Sequence, residues 1–349
     1  MQECTVMTTQ VAFLFPGQGS QAVGMGADIF EASPAARRVF ESADEALGIS
    51  LSALCFQGPD DVLRETINAQ PAIVTVSLAF LAALQEALTE EHTSSWSSPL
   101  VPSYTAGHSV GEYAALVASG ALHLKDAVRL VRERGRLMHY EGTVCPGGMA
   151  AVISLDTEIL QEVCQEAIAK STGNRAEDAH PGQGQVIIAN YNAPGQIVIS
   201  GEQGALKVAM ELAKVRGAKR VIPLTVSGAF HSPVMQPAAA GLAQAIEGTD
   251  IFDPSIQIIG NIHAKPLTEA QAIHEELAQQ IATPVQWIRT IEYLVGAGVT
   301  IFLEIGPGQA LTGMVKRIAK GVTSLNVSSI ADIEKAVSRI REMGLVDGV

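Results

Sequence analysis

The sequence predicts an α/β protein: a large α/β-hydrolase-like domain with a mostly parallel sheet, interrupted by an inserted ferredoxin-like small subdomain. Three observations predict it. Short apolar runs suited to buried strands alternate with longer segments of helical spacing, the pattern of a parallel sheet flanked by helices. One run ends in Gly107-His108-Ser109-Val110-Gly111, a G-x-S-x-G turn that leads into a helix. The middle of the chain reads strand, helix, strand, strand, helix, strand, which is the ferredoxin-like order. The expected division is 10–146 with 227–325 for the large domain, 147–226 for the subdomain and 326–349 for a helical tail.

The elements follow in order. Residues 1–9 read as a loose leader, and Gln10 to Phe15 as a buried strand that breaks at Pro16-Gly17-Gln18-Gly19. A glycine-rich loop after a parallel strand is where open α/β folds place ligands. Pro34 to Leu47 has helical spacing, Asp60-Asp61 can start a helix, and Pro71 suits the first turn of a long buried helix to Leu88. Glu90 to Ser103 reads as an exposed loop that delivers the chain to the serine turn. Lys125 to Tyr140 is a helix with Ala127, Leu130, Val131 and Leu137 inward, and four arginines whose spacing alone marks none as a ligand.

The texture changes at Pro146-Gly147-Gly148. Met149 to Leu155, Gln185 to Asn190, Gln196 to Ser200 and Arg220 to Val226 read as strands, with Asn192 to Gly195 a turn. Glu158 to Lys170 and Glu202 to Arg216 read as helices, and Ser171 to Gln185 as an exposed excursion. The large domain then resumes with a helix from Gln236, a strand at Ile256 to Asn261, helices at Leu267 to Ile281 and Val285 to Gly296, a strand at Thr300 to Ile305 and a helix at Ala310 to Lys320. Ile330 to Met343 makes the tail helix.

Composition bounds the function. The chain of 349 residues is 47% hydrophobic but only 5% aromatic, with 32 glycines, which suits helices packed closely on a sheet. A net charge of -13 disfavours nucleic-acid or anionic-membrane partners. Cys4, Cys55, Cys145 and Cys164 show no metal-type spacing and fit a reducing compartment. No signal peptide is recognised, and the apolar run at Ala72 to Leu84 is too short to span a bilayer. A cytoplasmic protein without a metal is the expectation.

Ser109 on a strand-to-helix turn can project its hydroxyl as a nucleophile, with helix N-terminal N–H groups beside it. The same serine could merely cap the helix. As a nucleophile it needs a base, and histidine serves near neutral pH. Of eight histidines, His231 stands at an element end before a helix, with His263 as its competitor. His108 should point away from the serine as a structural hydrogen-bonding group. Oxyanion donors would be the N–H of Val110 and one from the Gly17-Gln18-Gly19 loop. No acid stands in a convincing loop between serine and histidine, so a triad and a carbonyl-oriented dyad both stay open.

Eight motifs occur in order: FPGQGSQ at 15–21, QPA at 70–72, GHSVGEYAAL at 107–116, RERGRLM at 132–138, GGMAAV at 147–152, ANYNAPGQIVISG at 189–201, GAFHSPVM at 228–235 and EIGPGQALTG at 304–313. Together the set resembles the malonyl-CoA:acyl carrier protein transacylase family, which includes fatty-acid synthesis enzymes and polyketide synthase acyltransferase domains. The resemblance covers about residues 10 to 325. It implies that Ser109 takes the malonyl group as an ester and that His231 is its base. It implies Gln18 and Val110 as oxyanion donors, and Arg134 as partner of the malonate carboxylate. Gln280, four residues before Pro284, would orient His231 through its backbone carbonyl. Phe230 would favour malonyl by filling the space of an α-methyl branch, although it also reads as a core aromatic. No tightly bound cofactor is implied; malonyl-CoA is substrate, and an acyl carrier protein bearing phosphopantetheine is partner.

Acyl carrier proteins are generally acidic, so docking on this acidic chain calls for a local basic patch. Lys214, Arg216, Lys219 and Arg220 are the first candidate, Lys316 and Arg317 the second. A trans-acting polyketide acyltransferase or an acyl hydrolase is the alternative within the same fold, and a carrier-binding scaffold without activity is the non-enzyme one.

Overall fold

The run QVAFLF forms β1 (Gln10–Phe15), and every residue after Gln10 is buried. Helices cover both faces of this strand, which is why its apolar run is continuous and not alternating. The structure is a computed structural model that describes residues 10–90, 100–171 and 180–346. The leader and much of the loop before the serine turn and of the 171–185 excursion thus lie outside the described residues.

Helices α1 (Ala27–Ala32), α2 (Pro34–Leu47), α3 (Leu51–Gln57), α4 (Asp60–Arg64) and α5 (Thr66–Glu90) follow β1. Ser33 caps α2 by accepting the Ala36 N–H, with Pro34 directly after it. α5 begins earlier than its proline suggests, so Pro71 sits inside the helix and not in its first turn. At that depth the ring removes one backbone bond, and the buried apolar helix tolerates the loss. By length and composition Thr66–Thr89 could cross a bilayer, yet 67% of its most apolar window is buried within the protein.

β2 (Tyr104–Gly107) pairs in parallel with β1 and runs into α6 (Gly111–Ala118) and α7 (Leu124–Val144). The inserted unit comprises β3 (Gly147–Ile153), α8 (Thr157–Ser171), β4 (Val186–Ala193), β5 (Gln196–Glu202), α9 (Gln203–Val215) and β6 (Arg220–Pro223). Its sheet is antiparallel in the order β4-β5-β3-β6, the ferredoxin-like arrangement. β4 runs through Asn192 and Ala193, leaving Pro194-Gly195 as the turn, with Gly195 at φ +67. β6 ends at Pro223, short of Val226; one more bond, from the Leu224 N–H to the Met149 carbonyl, ties the chain to β3 before it turns away.

The chain then makes a 3-10 turn at Pro233–Met235, α10 (Gln236–Glu247), β7 (Gln257–Ile259), β8 (Pro266–Leu267), α11 (Ala270–Gln280), α12 (Trp287–Gly296), β9 (Val299–Ile305), α13 (Ala310–Ile318), β10 (Thr323–Val327) and α14 (Ile330–Glu342). The first sheet has the order β10-β9-β1-β2-β7-β8, parallel except for β8. Leu267 belongs to β8 and not to the following helix, because it pairs with Ile258. Val285 stays outside α12, since its backbone exchanges hydrogen bonds with Ala189 and Tyr191 of β4 and so ties the two sheets together. Residues 326–346, read as a tail, carry the end of β10 and α14. Ile333, Ala336, Val337 and Ile340 of α14 enter the same core as β1 and α5.

Candidate active site

β1 and β2 end side by side, and the chain crosses from β2 to α6 within a few residues. Glycine makes the crossing possible. A Cβ on Gly107 would lie 2.0 Å from the Gly111 carbonyl carbon, and one on Gly111 would lie 2.2 Å from the Phe15 carbonyl oxygen. Backbone meets backbone at both places, so neither neighbour can yield. Ser109 sits at the apex with φ 52, a left-handed conformation that side-chain-bearing residues rarely adopt outside functional turns. Its Oγ lies 2.7 Å from His231 Nε2.

His231 is itself left-handed, at φ 57, and follows the buried Ala229-Phe230 pair into the 3-10 turn. Its N–H donates to the Ile281 carbonyl. Its ring Nδ1 lies 2.9 Å from the Gln280 carbonyl oxygen and 3.1 Å from that of Thr283. A carbonyl can only accept, so Nδ1 carries the proton and Nε2 offers its lone pair to the Ser109 hydroxyl. Two carbonyls thus occupy the place that an acid takes in a triad.

Burial, and then the Arg134 guanidinium, lower the pKa of His231 from 6.5 to about 3. The imidazole is therefore neutral, and fit to accept a proton, throughout the neutral range. Between about pH 3 and 6.5 the unfolded chain binds the proton that the folded one refuses, so this group makes stability rise with pH across that window. For activity, kcat/KM for the acyl donor is expected to show no histidine limb between about pH 5 and 8. A limb near the ordinary histidine pKa would contradict this environment.

Arg134 comes from the inner face of α7 and is 1% exposed. Gly135 beside it lets α7 approach α5, where a Cβ would meet the Thr66 carbonyl oxygen at 2.7 Å. The guanidinium donates to Gln70 Oε1 at 2.7 Å, Gln280 Oε1 at 2.9 Å and Ser109 Oγ at 3.1 Å. These partners are all uncharged, and its Nε finds none among the described residues. Burial lowers its pKa, but a guanidinium stays protonated. The result is a buried cation with no salt bridge among the described residues, one hydrogen bond from the serine, which favours an anion at that spot.

The loop after β1 closes the other side. Gly17 lies against the elbow, where a Cβ would come 2.6 Å from the His108 carbonyl oxygen. Gln18 holds the loop down by donating from Nε2 to Thr66 Oγ1 at 3.2 Å. The backbone N–H groups of Gln18 and Val110 have no acceptor among the described residues. Ser109, His231, Gln18 and Phe230 all border one cleft of about 160 Å³ between the two sheets. Met138, Met149 and Val226 are part of its apolar wall, with Phe230. Buried Glu304 fixes a further wall by accepting the Leu311 and Thr312 N–H groups at the start of α13.

His263 is exposed and does not join the site. His108 borders the cleft, with Nε2 2.8 Å from Asn192 Oδ1 on β4, so it links elbow and subdomain. Asn192 was legible only as a turn residue. Three more polar residues escape the sequence reading. Asn261, at the end of an apparent strand, accepts the Ser109 N–H at 2.7 Å and donates to the Gly107 carbonyl at 2.7 Å. Gln70 holds Arg134 from a helix that reads as a buried, nearly apolar one. Glu112 looks like a helix-forming residue but is fully buried. Among the described residues, no cluster of histidine, cysteine and carboxylate side chains could hold a metal.

A serine hydrogen-bonded to a histidine beside a buried arginine is an arrangement suited to acyl transfer. The Acyl transferase domain model matches residues 12–338. The malonyl CoA-acyl carrier protein transacylase of Bacillus subtilis is 43% identical over 334 residues, covering 96% of this chain and 98% of the relative. The Escherichia coli K12 transacylase is 39% identical, covering 90% and 95%. Among solved structures, the Coxiella burnetii malonyl CoA-acyl carrier protein transacylase superposes with a TM-score of 0.86 at 36% identity, covering 95% and 98%. A malonyl-transacylase solved in complex with its type II polyketide synthase acyl carrier protein gives a TM-score of 0.85 at 37% identity, covering 95% and 100%. The chain belongs to the malonyl CoA-acyl carrier protein transacylase family and is an acyltransferase.

Proposed function

We propose that the protein moves a malonyl group from malonyl-CoA to the phosphopantetheine thiol of an acyl carrier protein, through an ester on Ser109. The observation that carries this reading is Arg134, a buried cation with only uncharged partners, 3.1 Å from the nucleophile. The free carboxylate of malonate is the charge it lacks, and a planar guanidinium can grip it through two parallel bonds.

The steps follow from the residues. His231 Nε2 takes the Ser109 proton as Oγ attacks the thioester carbonyl. The N–H groups of Gln18 and Val110 receive the oxyanion. The C–S bond then breaks, and the proton on His231 passes to the CoA sulfur. The phosphopantetheine thiol enters the vacated cleft, gives its proton to His231 and attacks the ester carbonyl; the C–O bond to Ser109 then breaks and His231 returns the proton to Oγ. Phe230 crowds the malonyl α-carbon, which should disfavour a methyl branch by about 10- to 200-fold. The reading is tested by intact-protein mass after brief mixing with malonyl-CoA, methylmalonyl-CoA and acetyl-CoA. It expects a malonyl adduct in preference to the others, and an acetyl adduct as strong as the malonyl one would sink it.

Carrier docking falls to the first basic patch. Lys214, Lys219 and Arg220 are exposed, whereas Arg216 pairs with Glu162 and Glu166, and Arg317 donates to Gln196 and the Pro194 carbonyl. Reversing Lys219 and Arg220 to glutamate is expected to raise KM for the carrier severalfold and leave KM for malonyl-CoA unchanged. Initial rates with each substrate varied would show it, and an unchanged carrier KM would remove this patch from the interface.

A further inference from the structure

Behind the nucleophile lies a second polar layer that no reacting atom touches. Glu112 is fully buried. Its Oε2 accepts two hydrogen bonds, from the Asn261 backbone N–H at 3.1 Å and from Gln280 Nε2 at 3.0 Å. Its Oε1 has no partner among the described residues. Glu276, 5% exposed, holds the next residue by accepting the Ile262 N–H at 2.7 Å.

The two residues that Glu112 holds reach the Ser109 elbow, His231 and Arg134. Asn261 spans the elbow from the Gly107 carbonyl to the Ser109 N–H. Gln280 gives its backbone carbonyl to His231, donates from Nε2 to the Ser109 carbonyl at 3.1 Å and accepts from Arg134 at Oε1. An amide can face either way, and here its direction is forced. The Ser109 carbonyl can only accept and the Glu112 oxygen is placed to do so, so the nitrogen must face them and the oxygen must face Arg134.

We propose that Glu112 is a positioning residue that aims the Gln280 amide oxygen at Arg134 and thereby sets the preference for a carboxylated acyl group. This rests on the malonyl-transfer reading above. The function needs an acceptor oxygen and not a charge, because both bonds converge on Oε2. Burial, and then the neighbouring Glu276, raise the pKa of Glu112. A proton on the unpartnered Oε1 leaves Oε2 free to accept.

The test is the ratio of single-turnover acylation rates with malonyl-CoA and acetyl-CoA. That ratio is unaffected by how much of a variant is folded. Glu112→Met removes the acceptor at similar volume and is expected to lower the malonyl preference by about tenfold or more, the effect of one lost charge-assisted hydrogen bond. Glu112→Gln keeps an acceptor oxygen and is expected to retain the preference within about threefold. Should Glu112→Met not fold, Gln280→Met carries the same test, since it removes the aimed amide and keeps the backbone carbonyl on His231. Equal loss of both rates in the methionine variants, or loss of the preference in Glu112→Gln, would overturn the proposal. Wild-type protein that takes no malonyl group would instead overturn the functional reading beneath it.

Discussion

Ser109→Ala is expected to form no acyl-enzyme with any CoA thioester and to transfer malonyl at least about 10⁴-fold more slowly than wild type. The elbow gives the reason. Among the described residues, Oγ is the only nucleophilic atom within hydrogen-bond reach of His231 Nε2 and the guanidinium of Arg134. Alanine leaves the base and the N–H groups around the cleft in place with nothing to activate. The backbone should survive, since alanine faces the same left-handed strain as serine at φ 52 and the Asn261 staple binds backbone atoms only. An unchanged melting temperature beside a lost adduct is therefore the expected pair of results. A malonyl adduct on the alanine variant would place the nucleophile elsewhere.

Arg134→Ala is expected to lower kcat/KM for malonyl-CoA by about 100- to 1,000-fold, the equivalent of roughly 3 to 4 kcal/mol for a carboxylate left without its charged partner. Acetyl-CoA has no carboxylate to lose, so its acylation should hold or improve. The variant also lifts a positive charge away from His231, whose pKa should rise from about 3 toward the ordinary value. Equal loss for both donors would mean that Arg134 acts through folding and does not select the acyl group.

Much of this was legible in the sequence where the cause was local. The Ser109 turn was, because two glycines within five residues leave few other ways to join a buried strand to a helix. The inserted subdomain was, because its elements follow one another in a recognisable order. Arg134 was one of four arginines on an amphipathic helix, and only the resemblance singled it out; its burial depends on Gln70 and Gln280, 64 and 146 residues away. Asn261 was hidden for the same reason, being 152 residues from the serine whose N–H it accepts. The choice between acid and carbonyl for His231 lay in the meeting of two loops, which periodicity does not encode. The shortened β6 and the proline inside α5 are cases in which the tertiary setting outweighed the local signal.

The most direct measurement is a chase. Wild-type protein is acylated with malonyl-CoA, freed of excess donor and mixed with carrier protein bearing phosphopantetheine. The masses of both proteins and the free malonate are then read together. Malonyl leaving Ser109 and appearing on the carrier thiol, with little free malonate, is the predicted result. Malonate in solution beside an unmodified carrier would contradict it and make the protein a hydrolase.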